Sequence, residues 1–162
     1  MARTDHETRV TSSVLDRLLD YDPKSSSESP KSRSKSLAEL KQSVRRDLEW
    51  LLNTRAYIGN VDENLEEVNK SVAVYGLPDF TGISAKSDSE MKRLSREVER
   101  ALKIFEPRFL NLKVMLEPVN NIDRLLKFRI EAHLNIEPTP EPIAFDTVLQ
   151  LGSGDFQVKE NR

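Results

Sequence analysis

The apolar positions of this chain follow two different rhythms, with the change near residue 107. In the first part the spacing is helical. Leu37, Leu40, Val44, Leu48 and Leu51 fall within roughly 80° of one another at about 100° per residue. Ser36 and Glu39 stand in the S-x-x-E relation of a capping box, which predicts a helix from Ser36 to about Thr54. A second helix is expected in "DENLEEVNKSVAVYG", where Leu65, Val68, Val72 and Tyr75 are in phase, Gly76 supplies a C-cap and Leu77-Pro78 stops continuation. A third is expected after another capping box, Ser87 and Glu90, with Met91, Leu94, Val98, Leu102 and Phe105 on one face and Pro107 as the stop.

Beyond Pro107 the period falls to two. Leu110, Leu112, Val114 and Leu116 alternate with other residues. So do Leu126, Phe128, Ile130, Ala132, Leu134 and Ile136, and then Ile143, Phe145, Thr147 and Leu149. "EPVNNID" and "EPTPEP" read as the connections, and "GSGD" as a turn into a short last strand, "FQVKE". Strands with one apolar face each form an antiparallel sheet covered on one side. A run of helices followed by a run of strands gives an α+β class, with three main helices on one face of a small antiparallel sheet.

Ahead of this domain, "VLDRLLDY" places Val14, Leu15, Leu18 and Leu19 at helical spacing in a segment too short to be a stable helix by itself. "DPKSSSESPKSRSKS", residues 22–36, has no apolar residue to offset ordering entropy and reads as a flexible tether. The expected organisation is a docking peptide and Ser-rich tether over residues 1–35 and an α+β domain over 36–162.

The 162 residues suit one domain with tails. Apolar residues make up 37 % and charged residues 32 %, a balance that leaves room for an unfolded segment. A net charge of −2 gives no global electrostatic reason to bind nucleic acid. Cysteine is absent, so disulfides and thiolate chemistry are excluded, in keeping with a reducing cytoplasm. No apolar run approaches a membrane span, and "MARTDHETRV" lacks the core of a signal peptide. A soluble cytoplasmic protein is expected.

Candidate chemistry is sparse. His133 falls on the polar side of its strand with no second ligand at metal spacing. The five glycines form no phosphate loop, and no nucleophile motif appears. Carboxylates are numerous, but none is distinguished as an acid–base pair. No catalytic, cofactor or metal residue is assigned, and no small-molecule substrate.

Two stretches point to interaction instead. In "SVRRDLEWLLNTR", Trp50 lies roughly 140° from the middle of the apolar stripe, beside Arg46 and Asn53. That face is covered either by the chain's own second helix or connecting loops, or by a partner, since Trp and Arg dominate interface energetics. In "FEPRF", Pro107 pushes Glu106 out of the α region, so that in an extended segment Glu106 and Arg108 point to one side. They form either a helix stop with a local ion pair or a rigid charged clip aimed at a partner or at the domain's own helix ends.

Taken in order, "SVLDRLLDYDP", "SVRRDLEWLLNTR", "VYGLPDFTG", "FEPRF" and the closing "FDTVL" resemble the TssE family, the baseplate subunits of bacterial type VI secretion, related to the contractile-phage baseplate wedge proteins. The resemblance runs from Val14 to Val158 and is weakest in the tether. It implies a non-enzymatic structural domain that sits on a helical bundle of two other wedge subunits and starts the contractile sheath. It assigns Glu106, Pro107 and Arg108 to the contact with that bundle. It also brings a historical lysozyme label, hence an alternative reading as a peptidoglycan-active glycosidase, which the lack of a distinguished acid pair disfavours. A further alternative is an adaptor that recruits a partner through Leu15, Leu18 and Leu19.

Overall fold

The computed structural model describes residues 10, 12–19, 24, 32–57, 61–62, 64–80, 83–84, 87–117 and 125–160. Of the expected tether, 22–36, residue 24 and residues 32–36 are described, and 33–36 are helical instead of tether; the rest lies outside the described residues, as does the expected first turn after Glu117. The elements in chain order are α1 (Val14–Leu18), α2 (Arg33–Asn53), α3 (Glu66–Asn69), a 3-10 turn (Val72–Val74), α4 (Asp88–Phe105), and strands β1 (Phe109–Glu117), β2 (Leu125–Leu134), β3 (Glu141–Gln150) and β4 (Phe156–Glu160). The strands form an antiparallel meander in the order β1-β2-β3-β4. The α+β class is as the periodicity predicts.

The helix faces and the inner sheet face share one core. Leu40, Val44, Leu48, Leu51 and Leu52 of α2 and Met91, Leu94, Val98 and Leu102 of α4 are buried against Phe128, Ile130, Phe145 and Leu149. Helix α2 lies over β4, and α4 over β1. Each fully buried Leu or Phe here contributes about 1.5–3 kcal/mol, so the two amphipathic helices and the sheet hold each other in place. The opposite face of the sheet carries Lys127, Glu131 and exposed His133 on β2.

The first long helix starts earlier than expected. Its N-cap is Ser32, whose hydroxyl accepts from the Lys35 amide, while the Ser36 hydroxyl donates to the Ser32 carbonyl inside the first turn. Ser36 is thus a helical residue, and the Ser36–Glu39 box is not the start. At α4 the cap is as expected on one side only. Ser87 accepts from the Glu90 amide, but the Glu90 carboxylate accepts from the Ser84 amide and not from that of Ser87.

The expected second helix is reduced to α3 and the 3-10 turn. Local side-chain bonds compete with the helix there. The Ser71 hydroxyl and amide both donate to the Val68 carbonyl, and the Val72 and Val74 that follow are poor helix formers. Gly76 is not its C-cap. It lies at φ +112 where Leu77 donates to the Thr54 carbonyl, and a Cβ on it would stand 2.4 Å from that oxygen. Gly76→Ala combines a forbidden conformation with a backbone clash, and is expected to cost more than about 2 kcal/mol, read as a drop in melting temperature.

One strand also departs from its pattern. A bulge between Leu110 and Lys113, with Asn111 at φ +53, puts two residues opposite one. Leu110 pairs with His133 and is turned to the outer face, whereas Phe109, Leu112, Val114 and Leu116 face the core. The expected single stripe through Leu110 is therefore broken at its first residue.

Candidate functional site

Pro107 ends α4 and turns the chain into β1. The turn is held by the Phe109 amide on the Glu106 carbonyl and by the Asn135 amide on the Arg108 carbonyl. At this corner Glu106 is buried, with 4 % of its surface exposed. Both carboxylate oxygens accept from Arg108, one from Nε and the other from Nη2. The local ion pair between Glu106 and Arg108 is present in the fold.

The pair does not end there. Arg108 Nη2 also donates to Asp47 Oδ2 on α2 at 2.7 Å. Asp47 Oδ1 accepts from Arg46 Nε at 3.1 Å and from its Nη2 at 2.9 Å. The same Arg46 Nη2 donates to Asp16 Oδ1 on α1 at 2.9 Å. Asp16 Oδ2 accepts from the hydroxyls of Ser13 and buried Ser43, each at 2.6 Å. Charges of alternating sign thus run Glu106–Arg108–Asp47–Arg46–Asp16, from the α4–β1 corner across α2 to the N-terminal helix.

The electrostatics follow from this order. Burial alone would lower the Arg108 pKa, but the hydrogen bonds and charges of Glu106 and Asp47 outweigh it and raise it further. Arg46 behaves likewise between Asp47 and Asp16. Tyr75, whose ring meets Phe105 edge-on at 5.1 Å, is pushed up by burial and then by the charges of Asp47 and Glu106. For Asp16, desolvation raises the pKa, but the bonds from Ser13, Ser43 and Arg46 prevail and bring it below the ordinary 3.8.

A depressed carboxylate stabilises the docked state above its unfolded pKa and loses that contribution as pH falls through its lower folded value. Anchoring of α1 is therefore expected to be complete at neutral pH and to fade below about pH 4. Arg46 sits over the Trp50 ring, its guanidinium carbon 5.0 Å from the centroid. Trp50 is the only tryptophan, so its emission reports on Arg46. An acid titration of that emission should be lost in Asp16→Asn.

The remaining interaction candidates are placed as follows. Trp50 is 53 % exposed, with the Arg46 guanidinium stacked over its ring. Asn53 is turned onto the sheet: its Oδ1 accepts from the Phe156 amide at 2.8 Å and its Nδ2 donates to the Phe156 carbonyl at 2.9 Å. Helix α1 meets α2 through Asp16, so Val14, Leu15, Leu18 and Leu19 are all left exposed. The residues that join these elements, Asp47, Ser43 and Asp16, carry no signal of their own in the sequence, since the contacts span 61, 27 and 30 positions.

Among the described residues no three His, Asp or Glu side chains are gathered to hold a metal ion, and no helix is long and apolar enough to cross a membrane. The corner and the two long elements that frame it fall in a segment, residues 38–139, that matches the family model described as baseplate wedge protein gp25. The chain belongs to this baseplate wedge family. The family is one of structural, phage-tail-like baseplate proteins and includes TssE of type VI secretion. Membership implies association with other baseplate components. Comparison with individually curated proteins returns no match.

Proposed function

We propose that this chain is a non-enzymatic subunit of a cytoplasmic type VI secretion baseplate, joining the wedge subunits to the first ring of the contractile sheath. The observation that carries the reading is the family match over residues 38–139, and β4, the last strand of the sheet, is where a further strand would add. In the antiparallel ladder Gln150 donates to Asp155, so Phe156 and Val158 direct their amides and carbonyls away from β3. Asn53 takes both groups of Phe156, and no described residue takes those of Val158. Val158 is nevertheless 2 % exposed, so its outward groups are covered, and strand addition at this edge requires that cover to be displaced.

The corner supports the wedge side of the same reading. Arg108 is locked by Glu106 and Asp47, yet its Nη1 meets no acceptor among the described residues, and Pro107 beside it is exposed. A cation presented with its side chain already ordered loses little entropy on binding. With both oxygens of Glu106 engaged by Arg108, that carboxylate is poorly placed to act as a glycosidase acid. The exposed Leu15, Leu18 and Leu19 add an apolar contact on the peptide anchored by Asp16.

The test is assembly. The full chain co-expressed with the other wedge subunits should co-purify with them, and cells lacking it should build no sheaths by electron microscopy. Normal sheaths in such cells would overturn the proposal.

A further inference from the structure

The connection from α2 to α4 is fastened at its neck and held by local bonds at its tip, yet it turns Leu65, Val68 and Val72 outward. At the neck the Ala56 amide donates to the Leu77 carbonyl and the Leu77 amide to Thr54, each at 2.9 Å. Leu77 and Phe80 then enter the core. The tip is shaped by its own polar groups. Asn64 donates to the Asp62 carboxylate from both its amide and its side chain, and the Asn69 side chain donates to the carbonyls of Asp62 and Leu65.

All these bonds are local, so residues 64–72 are shaped without fully burying an apolar side chain. Leu65 is 51 % exposed and Val72 88 %, with Val68 exposed between them and Tyr57, at 79 %, near the neck. Long loops with internal structure are seldom incidental, and an apolar cluster left in water on one marks a contact. The same tip is acidic: Asp62, Glu66 and Glu67 are exposed, and of the nearby bases Lys70 is already paired with Glu66 at 3.6 Å.

We propose that the tip of this loop, centred on Leu65, Val68 and Val72, docks into a partner protein's apolar groove rimmed by lysine or arginine. Charge complementarity selects the rim: carboxylates around an apolar plug repel an acidic surface and attract a basic one. The inference rests on the baseplate reading, and identifies the partner as another subunit of the same assembly. It adds a contact distinct from the Glu106–Arg108 corner and from the β4 edge.

The experiment uses the full chain assembled with its co-expressed wedge subunits, followed by hydrogen exchange and by affinity measurement. Amides of residues 64–72 should exchange at least tenfold more slowly in the assembly than in the free chain. Leu65→Asp with Val72→Asp should keep the melting temperature, since both side chains are exposed, and weaken association at least tenfold. Glu66→Lys with Glu67→Lys should also weaken it, and should flatten its salt dependence. If the wild-type chain joins the assembly while 64–72 exchange freely and the Asp variants bind normally, this inference alone fails. If the wild-type chain joins no wedge assembly, the baseplate reading fails and takes the inference with it. Self-association abolished by the Asp variants would assign the loop to a second copy of the chain and overturn the proposal of a basic partner.

Discussion

Arg108→Ala is expected to destabilise the fold by about 3–5 kcal/mol, the usual cost of leaving one member of a buried ion pair without the other. Glu106 is the reason. It is 4 % exposed and both its oxygens accept from Arg108, so removing the guanidinium strands a carboxylate away from water. In a domain of this size that corresponds to a melting temperature lower by roughly 10–20 °C. Glu106→Ala should cost less, because Arg108 keeps Asp47 and its side chain retains 26 % of its surface in solvent. Glu106→Gln placed on top of Arg108→Ala removes the stranded charge and should recover part of the loss, which a double-mutant cycle measures. A cost below about 1 kcal/mol for Arg108→Ala would mean that the pair behaves as a screened surface bridge.

The same cycle separates folding from anchoring. The double variant Glu106→Gln, Arg108→Ala should be folded by circular dichroism and still fail to hold the wedge subunits, because the free Nη1 of Arg108 is gone. Normal wedge binding by that variant would confine the corner to the chain's own fold. The intramolecular fork between Glu106 and Arg108 makes this distinction necessary, since either single alanine variant disturbs both.

What could be read from the sequence was whatever is decided locally. Helix α4 is the clearest case: the Ser87 cap, the stripe from Met91 to Leu102 and the Pro107 stop are all within one element. The middle helix failed because periodicity promises a face but not a surface to cover it. Leu65, Val68 and Val72 have helical spacing and remain in water, and the Asn69 and Ser71 side chains take backbone carbonyls instead. The bulge at Asn111 was invisible because alternation is counted along one strand, while a bulge is defined by its partner. The corner was half legible. Spacing put Glu106 and Arg108 on one side, but their tie to Asp47 and the clamp of Asn53 on Phe156 join residues 61 and 103 positions apart. No local rule reaches that far. The placement of Trp50 is resolved by the same contacts: its face of α2 carries Arg46, which serves Asp47 and α1, so the ring is left as a stacking surface and not as core.

Val158→Pro is expected to leave the domain folded and to stop strand addition at β4. The amide of Val158 points away from β3 and serves no described residue, which is the one setting in a sheet where proline removes no ladder bond. The buried side chain changes shape, so a cost of about 1–2 kcal/mol is expected from repacking. For an incoming strand that displaces what covers Val158, itself 2 % exposed, the change is more severe. It loses one hydrogen bond, worth about 1 kcal/mol net, and leaves its own carbonyl buried without a donor, at about 1–3 kcal/mol. Together these weaken strand addition by a factor of about 30 to nearly 1,000. Lys159→Pro is the contrasting variant. Its register opposite Asp146 puts its amide on the β3 side, so proline there breaks the chain's own ladder and should destabilise the domain instead. Sheath initiation that is normal with Val158→Pro, in a protein whose melting shows β4 still in place, would show that the first sheath ring does not enter by this edge. Loss of initiation with Val158→Pro, while the wedge subunits still co-purify, would separate the sheath contact at β4 from the wedge contact at Arg108.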